Sequence, residues 1–330
     1  MRISVLGVGA VGGTLGALLA RVGHDVQAVA RGATLAQLRE HGIRMRGAAG
    51  SFVAEVTAGE TVAADAELVL VAVRTYQTEA VLAAQAAAIG DTPLLIAQNG
   101  VRGPATAARV LGRTTGVFGL LSTFPATNLG GGDIRLTGLG RLTVGPLAAG
   151  ETAAAHQLAA VLGDALPTTA ASNLTGLLWM KLLLNQVNAL PAITGLSVQR
   201  VCAHPLLAPI LARSLEELVR VVDAQRIRLA RVGGMHPHFA DLIRQGRALD
   251  VTRGKLGRMF GATPNPASTL QSIRRGQRTE VDALNGEVVR AGADHGIPVP
   301  MNARLTRLGH EVERRGVFLP PQEAARRCRT

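Results

Sequence analysis

Short apolar runs alternate with helical patterns over the first half of the chain, and this alternation is the strongest structural signal in the sequence. The apolar runs have the length of strands and fall at 3–6, 26–30, 68–73 and 94–97. The helical patterns fall at 14–21, 35–41, 77–89 and 103–110. Because parallel strands joined by helices are buried on both faces, this order predicts an α/β fold with a doubly wound sheet of the Rossmann type.

Residues 116–145 carry a different pattern, in which Thr, Val, Gly and Leu alternate around a glycine-rich turn at 130–133. A period of two predicts antiparallel strands, and we expect them to finish the same sheet. A helix at 151–162 and a short strand at 167–171 should complete this half of the chain.

From residue 172 onward the strand pattern gives way to long helical segments. Helices are predicted at 174–193, 205–228, 237–248, 279–295 and, as the last one, 302–315. The sequence therefore predicts two domains, an α/β domain at 1–171 and an all-helical domain at 172–330.

The composition is that of a folded globular protein, with 330 residues, of which 47% are hydrophobic and 18% charged. No apolar run reaches the roughly 18 uncharged residues of a membrane span, and glycines interrupt the apolar start before it could act as a signal peptide. The eight histidines and the distant Cys202 and Cys328 lack the spacing of metal ligands. We therefore expect a cytoplasmic protein without a metal site or membrane contact.

A formal net charge of +12 raises the question of nucleic-acid binding. The basic residues are dispersed and only 2% of residues are aromatic, so neither a single basic block nor a stacking surface is visible. We expect no nucleic-acid partner, because dispersed positive charge equally suits a small anionic ligand. The apolar helical half is compatible with a homodimer.

The segment after the first apolar run is a candidate dinucleotide site. Gly7, Gly9 and Gly12 have GxGxxG spacing, with Ala10 and Val11 inside the motif. In such turns the first glycine permits the reversal, the second admits the pyrophosphate, and the third lets the helix pack against the sheet. The motif by itself occurs by chance in a glycine-rich chain, but here a strand precedes it and a helix follows.

The end of the second predicted strand bears on the choice of cofactor. An acidic residue at that place accepts hydrogen bonds from the ribose of NAD, whereas here the chain reads Ala30-Arg31. An arginine fork suits a 2′-phosphate, so NADP(H) is the expected cofactor. A solvated loop arginine is the alternative interpretation of Arg31.

A polar stripe lies within an otherwise apolar helical segment of the second half. Lys181, Asn185 and Asn188 stand at positions i, i+4 and i+7, so they share one face of a regular helix. Desolvation would lower the pKa of the lysine and make it a proton donor at neutral pH. Alternatively, the lysine reaches solvent along its apolar stem and the asparagines bond to backbone groups.

A second polar group of residues follows at 268–282. Thr279 is a candidate N-cap with Asp282 at the third position of a capping box, which places Glu280 in the first helical turn. The helix dipole alone could explain an acid at that place. The local pattern does not choose between a structural and a catalytic glutamate.

These motifs together resemble the ketopantoate reductase (2-dehydropantoate 2-reductase) family. They are, in chain order, the glycine turn with Arg31, the segment Val73-Arg74-Thr75-Tyr76-Gln77, the loop Gln98-Asn99-Gly100, the Trp179 to Asn185 core, and Ser268 followed by Thr279-Glu280-Val281-Asp282 and Asn285-Gly286. The resemblance implies NADPH-dependent reduction of ketopantoate, a 2-oxoacid, to pantoate in pantothenate biosynthesis. It also implies a helical domain similar to the C-terminal domain of 6-phosphogluconate dehydrogenase.

The resemblance assigns roles to individual residues. Lys181 matches the general acid that protonates the carbonyl oxygen, Glu280 matches the acid that holds the substrate hydroxyl, and Ser268 matches the serine that binds the carboxylate. Three asparagines match substrate contacts, and the first also lies near the nicotinamide in the family: Asn99, Asn185 and Asn188. Arg31 and Gln77 match the positions that face the cofactor's 2′-phosphate, and Arg74 belongs to the cofactor-binding segment.

Three departures from the family pattern affect the substrate more than the cofactor. Arg74 replaces a usual lysine, Ser272 stands where many members have aspartate, and Asn188 is shifted by one position. A member acting on another 2-oxoacid, a related two-domain dehydrogenase and a non-catalytic NADPH sensor are therefore the alternatives. A sensor would not need Lys181, Asn185 and Glu280 together.

Overall fold

The computed structural model describes residues 1–261 and 263–329. Ala262 and Thr330, which fall in the predicted helical domain, lie outside the described residues. Contacts divide the chain into two compact units. The first unit comprises Met1–Gln98 with Arg102–Leu174, and the second comprises Asn99–Val101 with Thr175–Thr330.

The first unit is built on strands. Those in its described residues are β1 (Arg2–Leu6), β2 (Asp25–Val29), β3 (Ile43–Gly47), β4 (Phe52–Ala54), β5 (Thr57–Gly59), β6 (Leu68–Val71), β7 (Leu94–Ile96), β8 (Val117–Ser122), β9 (Ala126–Gly130), β10 (Asp133–Leu136), β11 (Leu142–Pro146) and β12 (Thr168–Ala170). Eight of these described strands form one sheet in the order β12-β11-β8-β7-β6-β1-β2-β5. From β5 to β8 all neighbours are parallel, which confirms the predicted α/β fold class.

The expectation that residues 116–145 complete this sheet is correct only in part. Strand β8 joins it in parallel and β11 pairs antiparallel with β8. Strands β9 and β10 instead belong to a second sheet of order β4-β3-β10-β9. Local alternation cannot distinguish the two sheets, because the partner strands β3 and β4 come from a distant part of the chain.

The apolar runs are explained by burial on both faces of the large sheet. In β6 the side chains alternate, with Leu68 and Leu70 packed in one core and Val69 and Val71 in the other. All four are completely buried. A central parallel strand therefore needs apolar residues at every position, as its sequence has.

Helices cover the sheet and build the second unit. In the described residues those of the first unit are α1 (Ala10–Arg21), α2 (Gly32–His41), α3 (Thr78–Ile89), α4 (Gly103–Leu111) and α5 (Thr152–Gly163), and α6 (Leu174–Asn185) starts at its last residue. The others are α7 (Ala189–Thr194), α8 (Val198–Ala203), α9 (Ala208–Ala224), α10 (His238–Arg244), α11 (Ala248–Asp250), α12 (Gly257–Met259), α13 (Ser268–Arg274), α14 (Asn285–Asp294), α15 (Pro300–Arg315) and α16 (Pro321–Arg329).

The predicted helix at 174–193 is not continuous. A 3-10 turn, Gln186–Asn188, separates α6 from α7. Pro191 supplies the reason, because a proline lacks the N–H that would bond to the carbonyl of residue 187 and its ring crowds that carbonyl. The helical register that was expected to align Asn188 with Lys181 therefore ends before Asn188.

Two other helix predictions are corrected. The helix expected at 279–295 begins only at Asn285, after a 3-10 turn at Val281–Ala283. The helix at 302–315 is not the last one, since α16 follows it. No helix among the described residues combines the length and the hydropathy needed to cross a bilayer.

Candidate active site

The glycine turn joins β1 to α1 in the geometry that the motif predicts. Gly7 has a φ of 95°, which favours glycine, and a Cβ at Gly12 would stand 2.1 Å from the carbonyl oxygen of Gly7. A Cβ at Gly9, by contrast, would meet no protein atom within 4 Å. The backbone at Gly9 is therefore accessible to a ligand, whereas Gly7 and Gly12 are fixed by the fold itself.

Helix α1 presents unpaired amides at the same turn. Its first helical hydrogen bond runs from the Gly13 N–H to the Gly9 carbonyl at 2.8 Å, and Gly9 provides no side-chain cap. The amides of Ala10, Val11 and Gly12 precede that bond and have no acceptor within the helix. Such an N-terminus carries partial positive charge and suits a phosphate group.

The strands on either side of β1 bring basic residues to this edge of the sheet. Arg31 follows β2, is exposed and precedes the first residue of α2, while Arg74 follows β6. The Arg74 N–H donates to Oε1 of the exposed Gln77 at 3.3 Å. Because β2, β1 and β6 are parallel, their carboxyl ends lie at one edge, and these residues flank the glycine turn from both sides.

Lys181 lies on α6 and is half-buried among leucines. Burial lowers the pKa of its ammonium group to about 8, from the ordinary value of 10.5. Desolvation disfavours the charged form, so the proton is held less tightly than on an exposed lysine. At pH 7 a group with this pKa is still about nine-tenths protonated, and it can therefore donate a proton.

A chain of hydrogen bonds connects three polar residues beside this helix. Asn185, at the end of α6, donates from Nδ2 to Oδ1 of Asn99 at 3.3 Å. Asn99 in turn donates from Nδ2 to Oε2 of Glu280 at 3.3 Å. Lys181 stands one helical turn before Asn185 on the same face. Residues 86 and 181 positions apart in sequence are thus brought together within the second unit.

Asn188 and Ser268 form the second part of the site. Oδ1 of Asn188 accepts both the backbone N–H of Ser268 at 3.1 Å and its hydroxyl at 3.2 Å. Nδ2 of Asn188 donates to the Asn185 carbonyl at 2.8 Å. Ser268 is exposed at the start of α13, whereas Asn188 is buried. The asparagine thus orients the serine.

Glu280 is held differently from the expected first-turn glutamate. It precedes the turn at Val281–Ala283 and is only 7% exposed. The predicted capping box is corrected, because Glu280 and not Thr279 is the N-cap of this turn. Oγ1 of Thr279 accepts the Val281 N–H at 3.5 Å and donates to Oε2 of Glu313, which also accepts the Thr279 N–H at 2.9 Å. An exposed acid at a helix N-terminus is explained by the helix dipole. Burying an acid costs free energy, so the dipole alone does not account for Glu280.

Glu313 helps to position the segment before Glu280, and the sequence pattern did not predict this role. It stands on α15, 34 residues after Thr279, and it fixes the segment that leads into Glu280. Its place in an exposed, charged helical pattern offers no local signal for this contact.

Ser272, the departure from the family pattern, is 2% exposed and donates its hydroxyl back to the Ser268 carbonyl at 3.3 Å.

Comparison with known families gives matches over both units. The model described as "Ketopantoate reductase PanE/ApbA" matches residues 3–149, and the model for the C-terminal part of the same family matches residues 173–313. The 2-dehydropantoate 2-reductase of Archaeoglobus fulgidus is 30% identical over 94% of this chain and 98% of its own. The enzyme of that name from Halobacterium salinarum is 27% identical, over 96% and 100%.

Solved structures give the same fold. A PanE/ApbA family ketopantoate reductase from Ralstonia eutropha superposes with a TM-score of 0.80 at 29% identity, covering 96% of this chain and 99% of that one. A D-mandelate dehydrogenase solved with NADH and anilino(oxo)acetate has a TM-score of 0.82 at 21% identity with the same coverage. At that identity the second similarity concerns the fold alone.

Proposed function

Since the chain belongs to the ketopantoate reductase family, we propose that it reduces ketopantoate to pantoate with NADPH. The observation that carries the proposal is the arrangement around α6. A lysine with a pKa of about 8 stands one turn from an asparagine that is linked through Asn99 to the buried Glu280. Carbonyl reduction needs a proton donor together with polar groups that fix the substrate.

The glycine turn fits a dinucleotide. The space beside Gly9 and the free amides that open α1 suit a pyrophosphate, and Arg31 suits a 2′-phosphate. No acidic side chain ends β2, where a carboxylate would repel that phosphate. When bound, the nicotinamide would supply the hydride. NADH, which has the same pyrophosphate and lacks the 2′-phosphate, is the alternative cofactor.

Lys181 is the general acid in this proposal. Its ammonium donates a proton to the carbonyl oxygen as negative charge develops there. Asn99 and Asn185 hold polar groups beside the same oxygen, and their mutual hydrogen bond keeps both amides oriented.

The ends of the substrate are assigned to Ser268 and Glu280. Ser268 is exposed, and its hydroxyl, which donates to Oδ1 of Asn188 in the free protein, would turn to donate to the carboxylate of the 2-oxoacid while the Ser268 N–H stays bonded to Asn188. Glu280 accepts the terminal hydroxyl of ketopantoate. A carboxylate that is 7% exposed loses more from an unpaired state than an exposed one, and this gives discrimination against substrates without the hydroxyl.

The test is NADPH oxidation against a panel of 2-oxoacids that includes ketopantoate and ketoisovalerate, which lacks the hydroxyl. We expect ketopantoate to have the highest kcat/KM. In Glu280→Ala the ratio of kcat/KM for ketopantoate to kcat/KM for ketoisovalerate should fall by about tenfold or more, mainly because kcat/KM for ketopantoate falls. Glu287→Ala is the matched control, since Glu287 is also a buried glutamate but lies on α14.

Other outcomes would replace the proposal with one of its alternatives. Turnover of another 2-oxoacid without turnover of ketopantoate at millimolar concentration would leave a reductase with a different substrate. Tight NADPH binding without turnover of any 2-oxoacid would favour a cofactor sensor. Activity on a 2-hydroxyacid that survives Lys181→Met would favour a related dehydrogenase.

A further inference from the structure

A cluster of buried polar side chains adjoins the turn between α6 and α7. Gln186, in that turn, accepts on Oε1 the Ser214 hydroxyl at 2.8 Å and Nδ2 of Asn285 at 2.7 Å. Asn285 also donates to Oδ1 of Asn302 at 2.9 Å. These four side chains are at most 1% exposed. Buried amides at such positions are costly unless they are paired, so their geometry is constrained.

The cluster is anchored to the start of α15 by a buried acid. Glu217 on α9 is fully buried and accepts the backbone N–H groups of Met301 and Asn302 at 2.8 and 2.9 Å. It also accepts Nδ2 of Asn302 at 2.8 Å. A carboxylate at a helix N-terminus is stabilised by the free amides and by the dipole. Glu217 thereby fixes the orientation of the Asn302 amide.

The pattern of donors and acceptors permits one arrangement of Asn285. Asn302 donates from Nδ2 to Glu217, so it presents Oδ1 to Asn285, and Gln186 also presents an oxygen. Both neighbours are acceptors, and only the NH2 group of Asn285 can satisfy them. Rotating that amide by 180° would bring three oxygens together. The hydrogen bonds of the cluster therefore fix one orientation of the Asn285 side-chain amide.

We propose that this cluster is a positioning device for the active site, an inference that rests on the function proposed above. Gln186 is flanked by Asn185 and lies two residues before Asn188, so fixing its side chain fixes the turn that carries both asparagines. Asn285 opens α14 directly after the turn that follows Glu280. The cluster thus ties the turn of Asn185 and Asn188 to the segment that carries Glu280.

The physical consequence is transmitted through Ser268. The Asn188 amide orients both the N–H and the hydroxyl of Ser268. If the turn at 186–188 loses its anchor, these bonds loosen and the group assigned to the substrate carboxylate loses its position. None of the cluster residues is assigned a contact with substrate or cofactor. They act on the reaction only through the residues that do.

The experiment uses Gln186→Met, Ser214→Ala and the double variant, with Thr252→Val as control. Thr252 is a fully buried polar residue in the same unit, outside the cluster. We expect KM for ketopantoate to rise by about tenfold in Gln186→Met and less in Ser214→Ala, with kcat changed less than KM. The Kd for NADPH should stay within about twofold, because the cofactor turn belongs to the first unit.

Two measurements separate positioning from a general loss of stability. The double variant should be no worse than Gln186→Met within about twofold, since both changes act through one hydrogen-bonded unit. Hydrogen exchange at the Ser268 amide should accelerate by about tenfold in Gln186→Met and stay unchanged in Thr252→Val. This second measurement does not depend on turnover.

The outcomes distinguish this inference from the proposed function. Unchanged exchange at Ser268 in Gln186→Met, or multiplicative effects in the double variant, would overturn the positioning role. Faster exchange at Ser268 in a protein that reduces no 2-oxoacid would support the positioning role and defeat the proposed reaction. If Gln186→Met fails to fold, Ser214→Ala, which removes a single hydroxyl, carries the exchange measurement and the KM comparison, and unchanged values of both would overturn the positioning role.

Discussion

The type of basic residue at position 181 determines whether it can act as a proton donor. The chain has two lysines, Lys181 and Lys255, and every other residue among its 35 Lys+Arg is an arginine. An arginine stays protonated at all ordinary pH values, so it can bind an anion but cannot give up a proton. A lysine half-buried among leucines can do so, because desolvation lowers its pKa to about 8.

The first prediction concerns the pH dependence of reduction. The acid must be protonated to act, so kcat/KM should be level below about pH 8 and fall tenfold per unit above it. Lys181→Met should lower kcat by about 10²- to 10⁴-fold and leave NADPH binding intact. Steady-state rates between pH 6 and about 10 give the profile.

Lys255→Met is the matched control, because Lys255 is also half-buried but packs over the ring of Phe239. Its pH profile should equal that of the wild type. Reductive methylation with ¹³C labels the two lysines and the N-terminus, and NMR titration then gives the Lys181 pKa directly. A loss of activity below threefold in Lys181→Met would make this lysine structural.

Arg31 determines the second prediction. Its exposed guanidinium stands where β2 ends and can pair with a 2′-phosphate. Arg31→Ala should weaken NADPH binding by about 10- to 100-fold and leave NADH binding unchanged. Calorimetric titration of both cofactors measures this. Arg135→Ala, an exposed arginine on β10, is the control, and equal losses in the two variants would contradict a specific contact.

Among the elements of the fold, the turn between β1 and α1 contains two glycines that the backbone geometry requires and a third, Gly9, that it does not. Gly7 and Gly12 are required by the backbone, since one has a positive φ and the other touches the carbonyl of the first. Gly9 has a φ of −86° and space for a Cβ. A Cβ at Gly9 would meet no atom of the described residues, and in the proposed function the bound pyrophosphate accounts for the glycine.

The third prediction follows from this difference. Gly9→Ala should keep the Tm of the free protein within about 2 °C and weaken NADPH binding by about tenfold or more, because the methyl group occupies the path of the pyrophosphate. Gly163→Ala, which also adds a methyl group in open space, should change neither quantity. Thermal denaturation with and without NADPH measures both. Undiminished stabilisation of Gly9→Ala by NADPH would contradict the assignment.

At the scale of the whole molecule, net charge affects binding more than folding. In the proposed function, a formal charge of +12 would attract an anionic cofactor and an anionic substrate over long distances. Salt screens this attraction, since the Debye length falls from about 30 Å at 0.01 M to about 3 Å at 1 M.

The fourth prediction is a difference in salt dependence between cofactors. NADPH carries an additional phosphate with a charge of about −1.5 to −2 at pH 7. Its Kd should therefore rise more steeply with ionic strength than that of NADH, and Arg31→Ala should reduce the difference. Fluorescence titrations across a salt series measure both slopes. Parallel slopes for the two cofactors would show that the 2′-phosphate does not contact the protein.

Features that depend on local periodicity follow from the amino-acid sequence alone. The buried strands β1, β6 and β7, the helices between them and the glycine turn were predicted because burial on two faces and a tight turn each impose a local pattern. Lys181 and Asn185 were predicted to share a face because they lie on one helix, and that helix is regular as far as Asn185.

Contacts between segments that are distant in sequence depend on the packing of the folded chain. The alternation at 116–145 predicted strands in the region of β9 and β10, but neither the pairing of β10 with β3 nor the contact between Asn99 and Glu280 has a local signal, because the partners are far apart along the chain. The break before Asn188 gave that residue a partner in Ser268 instead of a place on the face of Lys181. Periodicity reports which side of an element is buried, but hydrogen bonds between elements depend on packing, which no local pattern records.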